Sequence, residues 1–311
     1  MPVERPHYRE EMDVRTGTAR SGELDIYYED MGDPSDPAVL LIMGLGAQLL
    51  LWREGFCQRL VDQGLRVIRY DNRDVGLSSK IEGRHTGAKL APRLVRSYLG
   101  KPSEAVYTLE DMADDAETLL DHLTIEKAHI VGASMGGMIA QVFAARHPKR
   151  TKTLAVIFSS NNQPLLPPPG LKQLKAITTR PKDTSREGII ANTMRVSRTI
   201  GSPGYPATDD KIQADAVEGY ERCYYPVGIA RHFSAVLGSG SLLHYDKQIN
   251  VPTVVIHGRA DKLMRPSGGR AVAKAIPSAR LVMFDGMGHD LPEPLWDDIV
   301  GELVTTFAEA P

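Results

Sequence analysis

Ser134 is the residue with the clearest chemical prospects. The segment Ile130-Val131-Gly132-Ala133-Ser134-Met135-Gly136-Gly137 sets a G-x-S-x-G pattern between a predicted strand, Ala128–Val131, and a predicted helix, Met135–His147. A serine on such a turn sits in strained backbone, and small residues two before and two after it let strand and helix pass closely. The helix start adds free backbone N–H groups and a positive dipole end beside the hydroxyl. A plain glycine-rich turn is the bland alternative; the strand before and helix after weigh against it.

A serine hydroxyl is a poor nucleophile near neutral pH, so a base must take its proton and a carboxylate must orient that base. Nucleophiles on a strand–turn–helix elbow keep the chain order serine, acid, histidine. His289 lies in Phe284-Asp285-Gly286-Met287-Gly288-His289-Asp290, and it is the last histidine and the only one after the last predicted strand. Asp261 follows the strand Pro252–His257, whereas the loop after the preceding core strand, Ser159-Ser160-Asn161-Asn162-Gln163, carries no carboxylate. Asp285 and Asp290 are rivals by closeness to His289. Asp290 reads better as the N-cap of the last helix, with Glu293 three residues on. Asp285 would sit at the strand end, so Asp261 is the expected acid.

Acyl transfer also needs backbone donors aimed at the developing oxyanion. The Met135 N–H, next after the serine, is one. Leu45, in Met43-Gly44-Leu45-Gly46, is the expected second, with Gly44 or Gly46 as alternatives. The Gly44-x-Gly46 pair is no dinucleotide turn, because Leu49 stands where that fingerprint needs its third glycine.

These residues need a parallel sheet to hold them. After a polar leader over residues 1–20, strand-like and helix-like segments alternate, which implies a mostly parallel sheet covered by helices. Strands are predicted at Pro37–Met43, Arg66–Asp71, Ala128–Val131, Thr153–Phe158, Pro252–His257 and Arg280–Phe284. Helices are predicted at Trp52–Gly64, Thr108–Leu123 (with Thr108 and Asp111 as an acidic capping box), Met135–His147, Ser267–Ile276 and Leu291–Phe307. From Asn161 to Lys247 the alternation stops and the chain turns helical, so a core of 21–160 and 248–311 is expected to carry a helical cap at 161–247. Tyr205, Tyr220, Tyr224, Tyr225 and Phe233 in that insertion read first as cap core.

Composition bounds the function. The 311 residues, 42% hydrophobic and 24% charged, suit a folded globule. A net charge of -2 gives no reason to invoke nucleic acid. The two cysteines, Cys57 and Cys223, support neither a disulfide framework nor a zinc site. Neither a secretory signal nor a bilayer-length apolar run is evident, so a cytoplasmic location is expected. Peripheral contact with a membrane through an apolar patch stays open.

After its leader the chain resembles the α/β-hydrolase superfamily, and within it the serine esterase branch of aclacinomycin methylesterase and the mycobacterial Lip-type carboxylesterases. The similar stretches are MGLGAQLLLW (Met43–Trp52), RVIRYDNRDVGLSS (Arg66–Ser79), HIVGASMGGMIAQVFA (His129–Ala144), VVIHGRADKLMRP (Val254–Pro266) and ARLVMFDGMGHDLP (Ala279–Pro292). The resemblance implies the α/β-hydrolase fold and a Ser134–Asp261–His289 triad. It implies a small-molecule or lipid ester substrate, thioesters included, and no metal or organic cofactor. Dehalogenases and epoxide hydrolases of that fold place aspartate at the nucleophile position, so serine argues against both. Perhydrolases, carbon–carbon hydrolases and ligand receptors share the scaffold and stay as alternatives. Many relatives begin the oxyanion loop with histidine-glycine, and this chain has Met43-Gly44. Asp71, Arg73, Gly76 and Ser78 match a D-x-R-x-x-G-x-S segment of these relatives, read as a structural brace, and His257 is read as packing beside the acid loop.

Overall fold

A computed structural model describes residues 13–311 apart from 84, 85, 88 and 180. The elements run β1 (Val14–Ser21), β2 (Leu24–Met31), β3 (Ala38–Ile42), α1 (Glu54–Val61), β4 (Arg66–Tyr70), α2 (Leu90–Tyr98), α3 (Leu109–His122), β5 (Ala128–Ala133), α4 (Met135–Arg146) and β6 (Thr151–Ile157). Five helices follow: α5 (Leu171–Thr178), α6 (Arg186–Ile200), α7 (Asp209–Arg222), α8 (Pro226–Ser239) and α9 (Leu243–Asp246). The chain then returns through β7 (Thr253–Gly258), α10 (Pro266–Ala275), β8 (Ala279–Phe284) and α11 (Trp296–Phe307).

One eight-stranded sheet has the order β1-β2-β4-β3-β5-β6-β7-β8. The first two strands pair antiparallel and the rest are parallel. Every residue of β3, β4, β5 and β7 is buried, as continuous apolar strands covered on both faces should be. One apolar cluster joins α3, α4 and the face of the sheet beneath them; the other joins α1 and α11 to the opposite face. The capping box at Thr108 is present, with the Asp111 carboxylate accepting the Thr108 N–H at 2.7 Å.

The expected leader needs correcting. Residues 1–12 lie outside the described residues, but from Val14 the chain is already the edge strand of the sheet. Its sequence, VRTGTARS, reads as polar because an edge strand exposes alternate side chains while Ala19 faces the core. Gly22, at a φ of 58°, opens the two-residue turn into β2, a strand that also went unassigned. The last predicted helix is likewise shorter than expected, starting at Trp296 after a short 3-10 turn at Glu293–Leu295.

The segment between β6 and β7 reaches the loops that follow several strands through polar contacts, while α9 packs against α4 and α10. Arg222 of α7 reaches to 2.7 Å from the fully buried Asp71 carboxylate, which also accepts the Leu49 and Leu77 N–H groups at 2.8 Å. Burial pushes the Asp71 carboxyl above its ordinary range, opposed by Arg222. A Cβ on Gly76 would fall 2.0 Å from the same carboxylate, which explains glycine there. Ser78 Oγ donates to the Asp71 carbonyl at 2.6 Å, and Arg73 pairs with Asp115. The D-x-R-x-x-G-x-S segment is therefore a brace, joined by Arg222 of α7 as a fifth member.

Candidate active site

Ser134 sits between β5 and α4 at φ 57° and ψ −122°, a backbone region that side chains other than glycine rarely adopt. The flanking glycines are sterically required. A Cβ on Gly132 would lie 2.2 Å from the Gly136 carbonyl oxygen, and one on Gly136 would lie 2.1 Å from that of Ile42. The turn is pinned by the Ser134 N–H donating to Ile157 at 2.9 Å and by Ser159 Oγ donating to the Ser134 carbonyl at 2.6 Å.

Three residues far apart in sequence converge. Ser134 Oγ lies 2.9 Å from His289 Nε2, and His289 Nδ1 lies 2.7 Å from Asp261 Oδ2. Nδ1 faces a carboxylate, so it carries the proton and leaves Nε2 to accept from the serine. The other Asp261 oxygen accepts the Leu263 and Met264 N–H groups at 2.8 and 2.9 Å. Burial works to raise this carboxyl, but the charge of His289 and hydrogen bonds from His257 and His289 hold it well below the usual carboxylate range.

His257 is fully buried beside this pair. Its Nε2 donates to the Met264 carbonyl at 2.5 Å and lies 3.6 Å from Asp261 Oδ2. The rivals for the acid role are engaged elsewhere. Asp285 is exposed and pairs with Arg259 at 2.8 Å. Asp290 is not a helix cap: Ser202 donates its hydroxyl to the carboxylate, and Pro292 takes the position before the 3-10 turn. The last helix begins only at Trp296, six residues beyond Asp290, and burial raises the Asp290 carboxyl.

The loop that precedes Ser134 in space is equally constrained. A Cβ on Gly44 would lie 2.9 Å from Ser134 Cβ, so that backbone approaches the Ser134 side chain directly. Gly46 donates its N–H to His232 Nδ1 at 3.1 Å, so that group is already engaged. Met135 is the first residue of α4, so its N–H has no intrahelical partner. His232 Nε2 donates to the Arg73 carbonyl at 2.6 Å. A neutral, single-tautomer imidazole of α8 thus holds the loop, and burial lowers its pKa to about 4.

His232, Ser202 and Ile200 are contributors that the sequence does not single out. Ser202 Oγ accepts the Gly288 N–H at 2.8 Å, and the Ile200 carbonyl accepts the His289 N–H at 2.8 Å. The histidine loop is therefore held from the helical insertion. These contacts join residues more than eighty positions apart, and no local pattern announces them. Both cysteines are free.

An eight-stranded, mostly parallel sheet with the serine elbow after β5 and helices inserted after β6 decides the architecture. The fold is that of the α/β hydrolases. The alpha/beta hydrolase fold family matches residues 37–184. Rhodomycin D methylesterase DnrP of Streptomyces peucetius is 28% identical, covering 88% of this chain and 93% of that protein. A 2-hydroxy-6-oxononadienedioate/2-hydroxy-6-oxononatrienedioate hydrolase of Cupriavidus pinatubonensis is 26% identical, covering 88% and 87%. Among solved structures, the enol-lactonase from Burkholderia xenovorans LB400 superposes with a TM-score of 0.71 at 24% identity, over 94% of this chain and all of that one. The chain thus has the α/β-hydrolase fold and is similar to a methylesterase and to a 2-hydroxy-6-oxononadienedioate/2-hydroxy-6-oxononatrienedioate hydrolase, in keeping with the esterase resemblance read from the motifs.

Proposed function

We propose that this α/β hydrolase is a carboxylic-ester hydrolase working through an acyl-enzyme. The observation that carries the reading is the unbroken hydrogen-bonded line from Ser134 through His289 to Asp261. Ser134 Oγ attacks the ester carbonyl while His289 Nε2 takes its proton. Asp261 holds the imidazolium and fixes its orientation. The oxyanion faces the N–H groups of Met135 and Leu45. His289 then protonates the departing alkoxide. Water adds to the acyl-enzyme with His289 again as base, releasing the acid and restoring Ser134.

The insertion 161–247 serves as a cap on the core 21–160 and 248–311; supporting this, its Arg222, His232 and Ser202 reach loops that follow the strands, where open α/β sheets place their ligands. Apolar acyl groups, in lipid esters or thioesters, are the substrates we favour. A methyl ester is the other specific prospect, favoured by the likeness to rhodomycin D methylesterase across most of both chains. Rates on p-nitrophenyl esters from acetate to palmitate, beside methyl esters and acyl thioesters, test the reading. Turnover of a carbon–carbon substrate with none on any ester would overturn it.

A further inference from the structure

Helix α2 is built inside out. Its sequence, LAPRLVRSY, is amphipathic, yet the residue it buries is Arg93, whose guanidinium donates to the Ser234 carbonyl on α8 and to the carbonyl of Glu104. The apolar side chains face solvent: Leu90 is 47% exposed, Leu94 39%, Val95 61% and Tyr98 48%. Leu99 extends the surface. So does Leu165, 64% exposed, because its N–H donates to the Tyr98 carbonyl at 3.0 Å. A surface helix of a globular protein ordinarily turns such a stripe to the core. Contiguous exposed apolar surface of this kind marks a contact site.

The charges around the stripe say what kind of contact. Lys89, Arg96 and Lys101 are all exposed, at the start of α2, within it and just beyond it, in a chain whose net charge is -2. Beneath the helix an open depression of about 420 Å³ is lined by Lys89, Arg93, Arg96 and Ser103, with Glu104 the one acid. Arg93 Nε has no hydrogen-bond partner among the described residues. Apolar side chains with an interfacial tyrosine, ringed by cations, complement a bilayer of anionic lipids. Leucines enter the acyl boundary while lysine and arginine stay at the headgroups.

We propose that α2, with Leu99 and Leu165, is a docking surface for anionic membranes. The helix packs on α8, which also carries His232, so docking sets the cap against the lipid. The inference rests on this surface alone and stands whether or not the ester-hydrolase reading does.

The full chain is centrifuged with phosphatidylcholine vesicles lacking or containing phosphatidylglycerol. Binding is expected only to the anionic vesicles and should weaken as salt is raised. Each surface cation contributes roughly fivefold to partitioning, so Lys89→Gln with Lys101→Gln should weaken it about 25-fold. Leu94→Ser with Val95→Ser should abolish it. These positions are exposed, so melting temperatures should be unchanged, which separates lost docking from lost folding. Absence of binding to anionic vesicles, or binding that neither variant alters, overturns the proposal. So does a vesicle-free homodimer that Leu94→Ser with Val95→Ser dissociates, since the stripe would then be a self-interface.

Discussion

His232 accepts the Gly46 N–H at 3.1 Å, and this bond ties a helix of the insertion to the loop that approaches Ser134. The imidazole can do so only while neutral, because protonated Nδ1 has no lone pair to offer. We place His232 as a positioning residue, acting through the loop rather than on substrate.

His232→Gln should therefore lower kcat by roughly 10 to 100-fold, less than the loss of a whole oxyanion donor. KM should change little, because the loop's alignment matters more to the oxyanion than to the bound ester. Steady-state kinetics on one p-nitrophenyl ester checks the split. A proportionate rise in KM with kcat intact would place His232 in substrate binding instead.

Stability should fall on acidification through the same residue. Burial lowers His232 from 6.5 to about 4, outweighing the Arg73 carbonyl and the Asp74 charge, and burial with the Lys152 charge lowers His129 likewise. Unfolding lets each bind a proton at the ordinary value, so the unfolded chain holds more protons between pH 6.5 and about 4. The stability these groups contribute is complete above pH 6.5 and declines toward pH 4. For His232 alone the loss is on the order of 2 kcal/mol at pH 5. Urea unfolding across this window should show the decline, and His232→Gln should flatten it. Equal slopes in both proteins would contradict the assignment.

The Asp261 carboxylate should matter through orientation. Asp261→Asn retains the shape but presents an amide N–H or a weaker acceptor to His289, favouring the wrong tautomer, with a loss of about 10⁴-fold in kcat. Single-turnover rates at neutral pH measure it. Activity retained within tenfold would shift the acid role elsewhere, and Asp290, with its carboxyl buried near His289, would be the next to test.

Much of this arrangement was legible in the residues. The elbow at Ser134 is local, because glycines two positions either side are dictated by clashes with Gly136 and Ile42 backbone. The parallel strands were legible too, since their burial on both faces makes them continuously apolar. What escaped was whatever depends on partners distant in sequence. The strand β1 hides in a polar stretch because it is an edge, and Asp290 looks like a cap until Ser202 is brought to it. His232 resembles any helical histidine until α8 meets the Gly46 loop. No element is predicted between the strand at Arg66–Asp71 and the helix at Thr108, and there α2 turns its leucines outward.

The most direct test of the central claim is hydrolysis of a p-nitrophenyl ester by the wild-type protein and by Ser134→Ala. Multiple turnovers are expected in the former and a fall in kcat of at least roughly 10⁴-fold in the folded variant. Equal turnover in both, or none in either, would contradict a serine acyl-enzyme at this site.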